Sequence, residues 1–285
     1  MPPSQWLPLP AERLPVKSIY AILKDRADKG DAPAACRLSA ELGRCLMLED
    51  TLESIQQGDP KTEADLAGPY AEQATLKQQL AMNCAGLGSG ELNERMGLLR
   101  QAALAGNVSA IEEYVSGLWV SQDIYSASYH LDDYRKDAPR LAEAALASGS
   151  LWVLMEMQGV YKGQFDDVLI SMAMNRPSRP ERGIVLDMLL KLASQSAKAP
   201  NQPFEARLSD MREQFQLGIP ESEYPRLEAQ VLDHYRNWFQ GHPKSFREMG
   251  LTVHNSVEGS RGFNELCSKG YATAEALENP IDWQD

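Results

Sequence analysis

Apolar residues along this chain recur every three or four positions, with no sustained alternation of apolar and polar residues, so the pattern predicts an all-α protein. Ile19, Tyr20, Leu23 and Ala27 share one face of a helix expected over 17–29. Asp31 caps the next, with Pro33 in its first turn, and the pattern carries that helix to about Met47. After a break at Gly58-Asp59-Pro60, Leu76, Leu80 and Cys84 fall four residues apart on a long helix over 63–83. A glycine-rich turn, 86–90, leads into helices over 92–105 and 108–116, the second stopped by Ser116-Gly117. Residues 118–138 are the least regular part of the first half. Helices then follow over 141–147, 151–161 and 165–174, a break at 175–180, an apolar helix over 182–192, a linker at 194–203 and a last long helix over 222–240. The tail from 242 is expected as short pieces covering an apolar end of the fold.

One local pattern occurs three times. Ala27-Asp28-Lys29-Gly30-Asp31, Ala103-Leu104-Ala105-Gly106-Asn107 and Ala145-Leu146-Ala147-Ser148-Gly149-Ser150 each end a small-residue helix on Gly and start another on Asp, Asn or Ser. Gly accepts the left-handed conformation that closes a helix, and the polar residue after it caps the next through a side-chain oxygen. The Gly spacings are 76 and 43 residues, so the first accommodates two units of about 38, in the range of helical-hairpin repeats. A degenerate intermediate unit would place its glycine near Gly68.

These residues resemble the Sel1-like repeat family, relatives of tetratricopeptide repeats. In each match an apolar or aromatic residue stands eight positions after the Gly, as Leu38, Tyr114 and Met157, and Leu42, Gly117 or Tyr161 stands 11 or 12 after it. The resemblance spans roughly residues 16–162. It implies an α-solenoid of helical hairpins behind a proline-rich arm, 1–15, with an irregular helical region, 163–285, that continues or caps it. It also implies a binding module without a cofactor, and the cysteine set Cys36, Cys45 and Cys84 is similar to that of exported bacterial proteins of this type.

Charge narrows the partner classes. The chain of 285 residues has 28 basic and 40 acidic residues, a net charge of −12, with no basic stripe of the kind that neutralises phosphates, which disfavours nucleic acid. No apolar run reaches the roughly 18–20 residues of a membrane span. The opening Pro2-Pro3-Ser4-Gln5-Trp6-Leu7-Pro8-Leu9-Pro10 reads as a linker ahead of a folded body, the start of a mature segment whose export signal Met1 has replaced. Periplasmic or envelope localisation is then expected, and cytoplasmic otherwise.

Cys36 and Cys45, nine residues apart on one helix, lie on nearly opposite faces and should not pair with each other. Cys45 and Cys84 both fall near helix C-termini in neighbouring hairpins, which makes them the preferred disulfide in an oxidising compartment. The alternative is four buried thiols, and Cys267 has no evident partner.

Searching for chemistry yields little. His130 with Asp132 and Asp133 is the sharpest metal-like cluster, but three polar residues in a loop lack a second set of converging ligands. Gly86-Leu87-Gly88-Ser89-Gly90 follows a helix, not the strand a nucleotide fingerprint requires. The adjacent acids Glu112-Glu113 and Asp166-Asp167 point to different sides of a helix and read as solvated surface. No metal or cofactor is therefore expected. Three functions remain: a non-catalytic adaptor or scaffold binding a protein, a helical envelope hydrolase with unidentified acids, and an immunity-type protein that sequesters a basic partner on its acidic surface. For the adaptor, the partner surface is a groove lined by the first helix of each hairpin, with Trp119, Tyr125, Tyr129 and Tyr134 as the aromatic candidates; the other reading of Tyr125, Tyr129 and Tyr134 is the packed face of a short helix.

Overall fold

The computed structural model describes residues 7–12, 14–57, 74–117, 128–163, 169–174, 179–195, 220–240, 262–279 and 281. Among these residues every extended element is a helix. In chain order they are α1 (Val16–Asp28), α2 (Ala32–Gln57), α3 (74–83), α4 (Ser89–Leu92), α5 (Arg95–Leu104), α6 (Val108–Ser116) and α7 (Leu131–Ala147). Then come α8 (Leu151–Tyr161), α9 (Leu169–Met174), α10 (Pro180–Gln195), α11 (Tyr224–Phe239), α12 (Phe263–Ser268) and α13 (Ala274–Glu278). Gly68, Trp119, Tyr125 and Asp166-Asp167 lie outside the described residues.

The three sequence marks close in one geometry. Gly30, Gly106 and Gly149 have φ of 85°, 90° and 74°. The amide of each glycine donates to the carbonyl three residues back, from Ala27, Ala103 and Leu146. The amide of the next residue donates five back: Asp31 to Arg26, Asn107 to Ala102 and Ser150 to Ala145. That pair of bonds is a Schellman closure. The same Asp31, Asn107 and Ser150 then accept from the amides of Ala34, Ala110 and Val153 at 3.1, 2.8 and 3.2 Å, so one residue ends one helix and caps the next. Ala27, Ala102, Ala103, Ala144 and Ala145 are fully buried beside these turns, where a small side chain lets two helices approach closely.

The chain divides into two compact units. The first comprises Met1–Tyr114, Leu118–Leu131 and Thr252–Gly270. Its centre is α2, against which α1, α5 and α12 pack, with Leu23, Leu38, Leu42, Leu99 and Ile111 in the core. Of the tail, residues 262–270 lie against α2 near the start of the chain, joined to it by Cys36–Cys267.

The second unit comprises Val115–Gly117, Asp132–Leu251 and Tyr271–Asp285. Here α10 packs against α8 and α11, burying Leu154, Met157, Leu186, Leu189, Leu227 and Val231. Gly183 on α10 has no room for a side chain, because an added Cβ would lie 2.7 Å from Lys162 Cγ, and Lys162 also pairs with Asp187 at 2.8 Å. Pro139 lies inside α7, which begins ten residues before the 141–147 helix that the pattern predicts.

Candidate functional site

The most built polar feature of the first unit starts on α2. Arg37, with no exposed surface, donates through Nε and Nη2 to Glu41 Oε1 at 2.9 and 2.6 Å, one helical turn away. Arg44 Nη2 stands 2.5 Å from the other oxygen, Glu41 Oε2, in an electrostatic contact without hydrogen-bond alignment. Burial pushes the Glu41 carboxyl above the ordinary value, against the opposing pull of Arg44 and Arg37. The remaining donor of Arg37, Nη1, meets Asn264 Oδ1. Phe263 lies beneath both guanidiniums, 5.7 Å from Arg37 and 5.5 Å from Arg44.

α12 is fixed there by more than this pair. Cys36 and Cys267 are joined, with Cα atoms 5.5 Å apart, and Asn107 Nδ2 donates to the carbonyls of Leu266 and Cys267, both at 3.3 Å. Val108 N donates to Gly270 O at 2.8 Å.

Residues 7–12 lie across this assembly. Arg26 Nη2 donates to Leu7 O at 2.5 Å and Nη1 to Pro8 O at 2.9 Å. Asn264 Nδ2 donates to Pro10 O at 2.8 Å, and its backbone amide to Glu12 Oε1 at 2.7 Å. Glu12 Oε2 is 3.4 Å from Arg37 Nη1. Gly262 gives the Glu12 carboxylate its space, since a Cβ there would collide with it. The expected proline-rich arm is thus seated on the folded unit through its described residues.

A second buried charge pair lies close by. Arg95 Nη2 donates to Glu113 Oε1 at 2.6 Å, and both residues are almost wholly buried. Gly43 faces them, where an added Cβ would be 2.7 Å from Arg95 Nε. The expectation of Glu113 as solvated surface is therefore corrected, because α6 turns it toward α5 and α2 while the Arg95 guanidinium neutralises it.

The sequence-derived candidates are distributed as follows. Cys45 and Cys84 are joined, with Cα atoms 5.8 Å apart, although Cys45 sits mid-helix because α2 continues ten residues past Met47. Tyr129 is 87% exposed. Tyr134 is not a surface residue: it is fully buried in the second unit, and its hydroxyl donates to Val115 O at 2.6 Å. The structure does not bring these two tyrosines together as one exposed face. Sequence reading missed Arg26, Arg37 and Asn264; for Arg26 alone there was a signal, a basic residue in the last turn of α1 just before Asp31, whose carboxylate accepts from Arg26 Nε at 2.8 Å.

Among the described residues no group of three or more His, Cys, Asp or Glu side chains converges as a metal site, and no helix is long and apolar enough to cross a membrane. His234 stacks on Trp238 with ring centroids 4.1 Å apart, and burial drives its pKa down to about 4, so it is a neutral packing residue near pH 7. What the first unit offers is a row of fixed donors holding an extended segment. Comparison of the chain with protein-family models, curated proteins and solved structures returns no match.

Proposed function

We propose that the chain is a non-catalytic protein-interaction module, an adaptor or scaffold of Sel1-like hairpins that works in an oxidising compartment such as the bacterial envelope. The observation that supports this reading is the threefold recurrence of one fused turn, at Gly30-Asp31, Gly106-Asn107 and Gly149-Ser150, with the same closing and capping bonds each time. Hairpins so closed are the units from which stacked helical repeats make extended binding surfaces. The pairs Cys36–Cys267 and Cys45–Cys84 favour an oxidising compartment, because cytosolic thiols are kept reduced.

Cross-linking in cells that produce the protein natively, followed by purification and mass spectrometry, tests the function. One stoichiometric partner retained in about 0.5 M salt, where charges are screened beyond about 4 Å, fits groove binding. Loss of the partner at that salt would favour sequestration through the acidic surface, and absence of any partner above background would overturn the reading.

A further inference from the structure

The contacts of residues 7–12 are one-sided. Among the described residues the arm supplies acceptors, namely the carbonyls of Leu7, Pro8 and Pro10 and the carboxylate of Glu12, while the folded unit supplies donors, from Arg26, Arg37 and Asn264. A Pro-x-Pro segment suits such a surface. Proline has no amide hydrogen to strand against a row of donors, and its fixed φ lowers the entropy cost of binding in an extended form.

The donors are also set in advance. Arg26 is held on its far side by Asp31, Arg37 by Glu41, and the Asn264 oxygen by Arg37. The Cys36–Cys267 bond fixes the backbone that carries Asn264. None of these restraints comes from the arm, so the row persists without it.

We infer that this donor row is a recognition site for an extended, proline-containing segment of a partner protein bearing a carboxylate, and that the chain's own arm occupies it in cis. The inference rests on the reading of the chain as an interaction module and names the kind of segment it binds. Tethered to α1 by the three residues 13–15, the arm is present at an effective concentration of about millimolar order, so a free segment meets a site already filled. A partner engages it only by displacing the arm.

The test uses the full-length chain with residues 7–12 replaced by alternating Gly and Ser, and a fluorescent acetylated peptide of the sequence Leu-Pro-Leu-Pro-Ala-Glu. Fluorescence anisotropy should show saturable binding at least ten-fold tighter than to the native chain. Adding Gly262→Ala to the replaced-arm chain should weaken binding at least ten-fold by filling the space of the peptide carboxylate. Asn264→Asp, which keeps the oxygen that Arg37 needs and removes the donor to the peptide, should do the same. Circular dichroism and thermal melting confirm that each variant is folded.

No saturable binding to a folded replaced-arm chain, or equal binding to all four proteins, would overturn the inference. If the peptide fails while a cross-linked partner persists in cells, only this inference falls and the interaction reading stands.

Discussion

Gly30 shows how narrow a residue's requirement can be. No atom lies within 4 Å of where its Cβ would be, so its need for glycine is conformational, set by a φ of 85°. Gly30→Ala should cost about 1–2 kcal/mol in denaturant melts and Gly30→Asn clearly less, since Asn tolerates the left-handed region. Gly43 is the opposite case, with ordinary helical backbone and no space. Gly43→Ala should displace the Arg95 guanidinium from Glu113 and destabilise the chain by about 2–4 kcal/mol. His234 sets a pH dependence. Its folded pKa of about 4 lies below the ordinary 6.5, so between those values the unfolded chain binds the extra proton. Stability from this residue is complete above pH 6.5 and falls as pH drops toward 4, by about 3 kcal/mol at most. Glu41 has the reverse sign, because its raised folded pKa makes stability fall as pH rises above the ordinary 4.5. The His234 contribution is therefore read from the stability difference between native chain and His234→Gln, which should be constant above pH 6.5, where it reports lost packing against Trp238, and should shift in favour of the variant as pH falls below that.

At the scale of elements, what was legible in the sequence was what local chemistry decides. Val108–Ser116 and Leu151–Tyr161 match the expected helices because a capping residue opens each, and a Gly or a polar pair ends it. Two boundaries were illegible for physical reasons. Past Met47 only Leu48, Leu52 and Ile55 continue the apolar stripe among polar and charged residues, yet α2 runs on to Gln57. Residues 131–138 read as irregular, but burial of Tyr134 and Ala138 holds them in α7 despite the amide donor that Pro139 lacks. The donor row was illegible because Arg37 and Asn264, in contact within it, are 227 residues apart and carry no local spacing. Replacing both Cys36 and Cys267 by Ser tests the element they hold. The variant should stay helical, lose about 2–5 kcal/mol, and show faster hydrogen exchange at 263–268 than at 32–45.

For the whole molecule, four cysteines in two bonds mean that no thiol is free among them. Intact mass after alkylation without reductant should show no adduct on protein taken from its native source, and four adducts after denaturation and reduction. Four adducts before reduction would remove the oxidising compartment from the proposed function. The span of the Cys36–Cys267 bond, 231 residues, also has a consequence for biogenesis. A chain that emerges from its N-terminus presents Cys36, Cys45 and Cys84 first, and at about 5–20 residues per second Cys36 waits roughly ten to fifty seconds for its partner. In an oxidising compartment Cys84 would be within reach of both earlier thiols during that interval, so the reduced chain should oxidise to the native pairs faster with a disulfide isomerase than without one.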